Sequence, residues 1–533
     1  MRQKVFTLLV GLILASMLLT GCGVNKPNRP IVIIASDQPG PADPAENWTF
    51  GGAAYLPLVY ESLYRFKGEK SPSLELGLAA DFPKVSADGL VYTISLKPNL
   101  TFHDGSMLNA DAVLYSYERI KALNKGANGI TADWIASMQK VNDTAVSFTL
   151  KAPFADFPTT LGSVWGNYIV NPKVCKEHET DGDWGYAWLL DHDAGSGPYA
   201  MTSFDHASNT ITLERYQEYW GKWKNAQAPD KAVIRWLSDS SQARLMIENG
   251  DADIVVNMPT TDYAAMQGKA GFVNYKAPSI MQYYLAMNGS DKPLDDVRVR
   301  QALQYSFNTD KVISDIFGGN LNKMTSAIGP GYTNIYNAAL KYTYDLDKAK
   351  ALLAEAGYAD GLEVTVNVMG FWPNDKAVLE FWQADLAKIG VRLIIQEIDG
   401  GTWGDAWWNC TATTARNIGQ MSAMAVGADY PSAWELLAQV YPVPRLGGGK
   451  CSVVYLDNPA INEAFKKLET TTNTAERKAI FDGLLDTIAQ DAATIWVGQG
   501  MDLVTRRDVV KGYSYSFAMG GNYVPLTEIS LSK

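Results

Sequence analysis

The side chains that most often carry catalysis are few in this sequence, and their spacing matches no catalytic motif. The four histidines are His103, His178, His192 and His206. None lies in the His-Glu-x-x-His pattern, which places two imidazoles on one helix face to hold zinc. The run Gly195-Ser196-Gly197 lacks the spacing of a nucleophile elbow, whose glycines lie two positions from the serine. We therefore predict no catalytic residue, no metal site and no cofactor.

The leader places a reactive cysteine behind an apolar run. Basic residues precede an apolar stretch at 5–19, which has the length of a secretory signal and is short for a membrane span. Small residues then precede Cys22, in the order found in bacterial lipoproteins. We expect removal of residues 1–21, acylation of Cys22 and a polar tether at 22–30. The alternative is a plain signal peptide with an incidental cysteine.

Three further cysteines follow the leader. An oxidising compartment permits a disulfide, and the candidate pair is Cys410–Cys451, because both lie in one stretch of the chain. Cys175 would then stay free, as a small buried or half-buried side chain.

Composition describes a globular body. The chain has 533 residues, enough for two or three domains, and a formal net charge of −11. This acidic balance argues against nucleic acid or an anionic membrane surface as the ligand. No second apolar run after the leader reaches about eighteen residues, so the body is predicted to be soluble.

Hydrophobic periodicity predicts a mixed α/β fold. Period-two alternation predicts strands at 92–96, 146–150, 211–215 and 233–236. The clearest segment runs from 345 to 398: an N-cap at Asp345, a helix, an alternating strand, a second helix and a second alternating strand. Strand, helix and strand with short links form a βαβ unit, so this part of the chain has parallel strands.

Several sequence blocks, taken in order, resemble the bacterial extracellular solute-binding proteins of family 5, the dipeptide- and oligopeptide-binding type. Each block is weak by itself, and their order over about 400 residues makes the resemblance specific. The resemblance extends from about residue 30 to the C-terminus. The blocks lie at 60–64, 78–80, 96–105, 108–113, 115–119, 195–199, 219–220, 250–253, 293–303, 347–353 and 357–358.

The resemblance implies a two-lobe clamp of the type II periplasmic-binding-protein class with an extra subdomain on the first lobe. The first lobe would comprise 31–60, 190–285 and 497–533. The extra subdomain would be 61–189, and the second lobe 286–496. The ligand would lie between the lobes, which close around it. The histidine in the turn at 102–105, His103, would be hydrogen-bonded there rather than a ligand contact.

Peptide-binding members pair an aspartate of the second lobe with the amino terminus of the peptide. The matching stretch here is 426–431, so the resemblance implies that Asp429, followed by Tyr430, contacts the ligand. A desolvated carboxylate is a strong partner for an ammonium group. Many peptide binders have tryptophan three positions earlier, where this chain has Val426, and this weakens the inference to peptides. The alternative role of Asp429 is an ordinary turn residue.

Aromatic residues supply the other candidate contacts and an alternative ligand. Phe371 and Trp372 follow a predicted strand, where loops face the cleft, and such rings also stack on sugars. Tyr283 and Tyr284 precede the predicted hinge strand, and Tyr55 lies in a glycine-rich segment of the first lobe. Oligosaccharides and opines therefore remain alternative ligands.

The resemblance also implies partners and location. The chain would be an extracytoplasmic monomer, periplasmic or on the cell surface, held to the membrane by its lipid and delivering solute to the transmembrane subunits of an ABC permease. Two other classes remain open. One is a signalling or adhesion lipoprotein built on the same clamp. The other is a lipid-anchored hydrolase, because a hidden pair of acidic residues is compatible with this sequence.

Overall fold

The computed structural model describes residues 29–70, 72–126, 128–332, 342–370, 374–402, 420–442 and 453–532. The strands are β1 Ile31–Ala35, β2 Tyr64–Lys67, β3 Ser73–Leu76, β4 Lys84–Val85, β5 Val91–Ser95, β6 Ile135–Asn142, β7 Ala145–Leu150, β8 Tyr199–Asp205, β9 Thr210–Arg215, β10 Lys231–Trp236, β11 Ile254–Val255, β12 Phe272–Met287, β13 Leu321–Asn322, β14 Leu362–Val368, β15 Val391–Glu397, β16 Met421–Val426, β17 Thr494–Arg507, β18 Val510–Lys511 and β19 Ser530–Leu531.

The helices contribute the outer layers. In chain order they are α1 Leu56–Val59, α2 Ala110–Leu123, α3 Asn128–Thr131, α4 Phe157–Thr160, α5 Pro172–Glu177, α6 Tyr186–Leu189, α7 Ser240–Asn249, α8 Thr260–Met266, α9 Val297–Ser306, α10 Thr309–Lys311, α11 Leu346–Glu355, α12 Asp375–Lys388, α13 Ala433–Ala438, α14 Pro459–Thr470 and α15 Thr474–Asp491. Within the described ranges, none of these helices is both long and apolar enough to cross a membrane.

One large mixed sheet runs through the whole molecule. Its main path has the order β15-β14-β16-β12-β17-β11-β1-β10-β9-β8, and β13 pairs with β17. Strand β1 is parallel to β10 and β11, and β14 is parallel to β15 and β16. The two parallel sets lie on opposite sides of the antiparallel pair β12–β17, which joins them. This is the mixed α/β architecture predicted from the sequence.

The segment from 345 to 398 folds as its periodicity predicts. The side chain of Asp345 caps α11 by accepting a hydrogen bond from the main-chain N–H of Lys348. Gly357, just past the helix end, has φ of +89°, which a side chain would disfavour. Strands β14 and β15 then pair in parallel across the α12 crossover, and Trp382 on α12 is fully buried. The βαβ prediction is confirmed.

The pair β12–β17 is where the halves of the sheet meet. Its register is regular from Phe272 to Pro278, breaks, and resumes at Gln282 opposite Gln499. Both glutamines are fully buried, and each accepts a hydrogen bond from a glycine N–H of the 329–331 segment. The break lies a few residues before the predicted boundary at 285/286. The division into two lobes and an extra subdomain stays a prediction, and we keep those names for the ranges given above.

A second sheet lies inside the predicted extra subdomain. Its order is β4-β5-β7-β6, all antiparallel, with α2 packed against β6 and β7. Arg119 of α2 is 1% exposed and donates to the fully buried Asp43 over 2.8 Å. Because an uncompensated buried charge is costly, this pair ties the extra subdomain to the 36–48 loop of the first lobe.

Of the four cysteines, the structure describes Cys175. Cys175 is a free, fully buried thiol on α5, and burial raises its pKa to about 12, so it stays protonated and unreactive. Cys22, Cys410 and Cys451 lie outside the described residues, so their acylation and pairing stay predictions.

His103 is held in its turn by two acceptors, as the sequence predicts. Its Nδ1 lies 2.8 Å from Asp193 Oδ2, and its Nε2 lies 2.9 Å from the Gly197 carbonyl oxygen. Burial lowers the pKa of His103, but the attraction of Asp193 and the bond to the carbonyl outweigh it, so the pKa is raised above its ordinary value. With two acceptors, the ring is held as an imidazolium.

Replacing His103 with glutamine is expected to destabilise the protein by about 2 kcal/mol at pH 6, and by less at pH 9. The stabilisation is fully present below the unfolded pKa, about 6.5, and is lost as pH rises through the raised folded pKa. Urea unfolding of wild type and variant at both pH values measures this difference. His206→Gln, at a side chain 59% exposed, is the control. A difference that grows with pH would contradict the imidazolium assignment.

Candidate functional site

The carboxyl ends of both parallel sets are directed toward the part of β12–β17 where the halves of the sheet meet, and we call the region between these ends the crevice. In open α/β sheets ligands bind outside these ends, where loops from several strands converge. Three of the strands belong to the first lobe and three to the second. They end at Ala35, Trp236 and Val255 in the first lobe, and at Val368, Glu397 and Val426 in the second.

Asp429 follows β16 at its carboxyl end, and its main chain is hydrogen-bonded to two separate parts of the chain. Its N–H donates to Glu435 Oε2 over 3.0 Å, and its carbonyl oxygen accepts from Ser163 Oγ over 2.7 Å. Glu435 belongs to the second lobe, and Ser163 to the extra subdomain. The Asp429 side chain is half-buried. A partly desolvated carboxylate on a fixed backbone can bind a cation directionally.

Tyr430 packs across the crevice. It is 4% exposed and belongs to a small apolar cluster that includes Ala53 of the first lobe, Trp165 of the extra subdomain and Met519 of the C-terminal segment. Burial raises the pKa of Tyr430 well above its ordinary value, so the phenol stays neutral. Second lobe, first lobe and extra subdomain therefore meet at this ring.

The three other predicted tyrosines differ in position. Tyr283 is half-buried on β12, next to the register break, and its ring stacks on Phe317 with centroids 6.3 Å apart. Tyr284 is 1% exposed, and its hydroxyl donates to the Ala327 carbonyl over 2.7 Å. Both lie within β12, which extends over sixteen residues, whereas the sequence placed them before a strand.

Tyr55 lies in the interior of the first lobe. It is fully buried, its ring packs edge-on against Trp236 with centroids 5.9 Å apart, and its hydroxyl donates to the Pro41 carbonyl over 2.8 Å. The glycine beside it, Gly51, comes so close to the Gln38 carbonyl that a Cβ would lie 1.9 Å from the oxygen. With its surface and hydroxyl both occupied, Tyr55 is left out of the contact set proposed below, as is Tyr284.

Phe371 and Trp372 lie outside the described residues. The chain leaves β14 at Val368 and is described as far as Gly370, at the carboxyl edge where Asp429 also lies. Their contact role stays a prediction.

No group of three or more His, Cys, Asp or Glu side chains in the described ranges is arranged to hold a metal ion.

A polar contact between the extra subdomain and the second lobe was not predicted from the sequence. Asp156, 9% exposed, lies 2.7 Å from Arg477 Nη2 and accepts a hydrogen bond from Ser432 Oγ. Arg477 is also bonded to two carbonyls of its own lobe, Leu468 and Thr471. Burial raises the pKa of Asp156, although Arg477 and Ser432 oppose this. We call Asp156, Ser432 and Arg477 the latch.

An aromatic cluster surrounds the latch. Trp434 of α13 packs against both Trp134 and Phe154 of the extra subdomain, with centroid distances of 6.2 and 4.9 Å, and also contacts Phe465 of its own lobe. Trp134 and Phe154 stack on each other at 3.9 Å. Such contacts contribute beyond the area they bury. The extra subdomain and second lobe are therefore held together by an ion pair and by aromatic packing.

Comparison with known proteins agrees with this architecture. Residues 73–444 match the family model described as "Bacterial extracellular solute-binding proteins, family 5 Middle". The glutathione-binding protein GsiB of Pectobacterium atrosepticum is 26% identical over 449 residues, 82% of each chain.

Two solved structures share the fold over 95% of this chain. The Helicobacter pylori periplasmic binding protein DppA in complex with the peptide STSA has a TM-score of 0.77 at 24% identity and is covered over 98% of its length. The Agrobacterium tumefaciens protein AgaA in complex with agropinic acid has a TM-score of 0.75 at 21% identity and is covered over 99%.

Proposed function

Because the chain belongs to the bacterial extracellular solute-binding proteins of family 5, we propose that it is the lipid-anchored capture subunit of an ABC importer for short peptides. The proposed ligand lies in the crevice, with its amino terminus on Asp429. Tyr430, Tyr283, Phe371 and Trp372 form the remaining proposed contacts. The protein would release the ligand to the permease rather than transform it.

The observation that carries the peptide proposal is the setting of Asp429. Its main chain is bonded to Glu435 on one side and to Ser163 on the other, and it follows β16, one of the six strands whose carboxyl ends are named above. Fixing the geometry in advance reduces the entropy lost on binding. A charge-assisted bond to an ammonium group is about twice as strong as a neutral one.

Glutathione is the first ligand to test. The relative from Pectobacterium carries that specificity in its name, and the Helicobacter structure holds a four-residue peptide. Glutathione is a tripeptide with a free amino group, so it offers the ammonium that Asp429 would bind. Agropinic acid, bound by AgaA, represents the opine alternative.

Capture by this clamp requires that the closed form gain more contacts with the ligand than the open form does. The latch joins the second lobe to the extra subdomain, and the Tyr430 cluster joins it to the first lobe as well. They would lower the cost of closure, so that less of the binding energy of the ligand is spent on moving the lobes. The register break in β12–β17 is the proposed hinge.

Isothermal titration calorimetry of the chain from residue 27 tests the proposal. We expect glutathione or trialanine to bind, and their N-acetylated forms to bind at least tenfold more weakly. At about 100 times Kd, the ligand should stabilise the fold by about 2.7 kcal/mol. Binding of maltotriose or an opine without binding of any peptide would contradict the peptide assignment. Hydrolysis products of the ligand, detected by mass spectrometry after the titration, would indicate a hydrolase.

Replacing Cys22 with serine is expected to abolish metabolic labelling of the protein with palmitate. The proposed anchor needs the Cys22 thiol, and two or three acyl chains would hold the protein firmly at the membrane. Cys175→Ser, at the buried free thiol, is the matched control and should keep the label. Undiminished labelling of the Cys22 variant would contradict the anchor.

A further inference from the structure

A cavity of about 420 Å³ lies between the extra subdomain and the first lobe. One wall comes from β2, β3 and Lys97 of the extra subdomain. The loop at 219–224 and the C-terminal segment at 514–528 form the others. None of these segments follows the carboxyl end of a strand in the crevice, and none of the proposed peptide contacts lines this cavity. Its polar and aromatic lining includes Glu61, Arg65, Lys97, Trp220, Lys224 and Tyr523.

The cavity is basic although the chain is acidic. Its lining includes five basic side chains and three acidic ones, whereas the whole chain carries −11. Burial lowers the pKa of Lys97, and the nearby charges of Arg65 and Lys224 lower it further, while the charge of Glu61 opposes them. These cations therefore lie close enough to repel one another, and an anion placed among them would relieve that repulsion.

Lys97 is fixed in a position to bind. Its ammonium donates to the carbonyls of Leu76 and Gly77 and lies 5.2 Å from the centroid of the Trp220 ring. An ammonium held in this way loses little further freedom when it gains an anionic partner. The rings of Tyr219, Trp220 and Tyr523 in the walls offer flat apolar surface beside the charge.

A buried carboxylate shares the cavity with these cations. Glu61 is 8% exposed, and the Tyr219 hydroxyl donates to its Oε1 over 2.7 Å. Burial raises the pKa of Glu61 to about 7, although Tyr219, Arg65 and Lys97 oppose this. Above neutral pH, the ionised Glu61 competes with an anionic ligand for the cations of the cavity. Below neutral pH, Glu61 is protonated and no longer competes for them.

From this combination of cavity, cations and rings, we propose a second ligand site in the first lobe, for a small organic carboxylate with a flat body. The carboxylate lies beside Lys97, Arg65 and Lys224. The flat body lies along Trp220 and Tyr523. Its lining touches the Tyr430 cluster at Phe66 and Met519 but includes none of the proposed peptide contacts, so we expect it to bind whether or not a peptide occupies the crevice.

Titration of the intact protein with benzoate, and with benzamide as its neutral isostere, tests this site at pH 6. We expect benzoate to bind at least tenfold more tightly than benzamide. Lys97→Met should weaken the binding of benzoate about tenfold. Lys224→Met removes an exposed cation, so it should leave the fold intact. It should weaken the binding of benzoate severalfold. Lys231→Met, at an exposed lysine that pairs with Glu214 on β9, is the control and should leave benzoate binding unchanged.

The pH dependence gives a second, sharper readout. Benzoate stays ionised from pH 6 to 8.5, so wild-type affinity should fall severalfold over that range as Glu61 ionises. Glu61→Gln should bind benzoate equally at both pH values. Equal binding of benzoate and benzamide would overturn the proposal. So would unaltered binding by both lysine variants, or displacement of benzoate by a saturating crevice ligand.

Discussion

Replacing Asp429 with asparagine is expected to weaken binding of peptides with a free amino terminus about 100-fold, or about 3 kcal/mol. Asparagine keeps the shape and the two main-chain bonds to Glu435 and Ser163, so the loop should stay in place. Only the negative charge facing the ammonium is removed. The bound ammonium then lies in a partly desolvated site without its counter-charge, which is where most of the cost arises.

Calorimetry with paired ligands isolates this effect. Wild type and Asp429→Asn should bind an N-acetylated peptide with similar, weak affinity, because that ligand carries no ammonium. Asp360→Asn, at an exposed aspartate of the second lobe, should leave both affinities unchanged. If Asp429→Asn weakens the binding of the acetylated peptide and of the free peptide by the same factor, Asp429 acts by shaping its loop rather than as a charge partner.

Replacing Arg477 with methionine is expected to weaken ligand binding by about 100-fold or more, because the closed form of the clamp is destabilised. The variant leaves Asp156 in a buried site without its cation, and breaking one side of a buried pair costs about 3–5 kcal/mol. In an open clamp Asp156 would reach water and avoid that cost. The penalty should therefore appear in affinity and in a faster dissociation rate, and little in the unfolding temperature without ligand.

Two further variants make this prediction decisive. The double variant Asp156→Asn with Arg477→Met should recover part of the affinity, because no buried charge remains. Arg392→Met breaks the exposed pair with Glu363 on β14, where the side chains are 77% and 52% exposed, and should change stability by less than about 1 kcal/mol. An unliganded unfolding temperature that falls while affinity stays the same would contradict a latch that forms on closure, and would make the contact a permanent one.

Elements with a strong local period were predictable from the sequence. The segment from Asp345 to the end of β15 contains its own cap, two alternating strands and two helical stripes, so its fold depends on neighbours along the chain. The turn around His103 was predictable for the same reason. The length of β12 was not, because its sixteen residues pair with different partners along their course and show no single alternation.

The site was less predictable than the fold. Asp429 was predicted as a ligand contact from a family motif. That motif does not indicate that Ser163 and Glu435 bind the main chain of Asp429. Asp156 and Arg477 are 321 positions apart, and neither belongs to a local pattern that signals an ion pair. Tyr55 was chosen for its place in a glycine-rich segment, and nothing in that segment indicated that its ring is fully buried.

Native mass spectrometry of the protein purified without denaturation most directly tests the claim that it captures peptides. We predict a population carrying extra mass that fragments as a short peptide, and we predict that Asp429→Asn loses this population. A carried mass that fragments as a sugar or an opine, and that persists in Asp429→Asn, would contradict peptide capture and the role of Asp429 together.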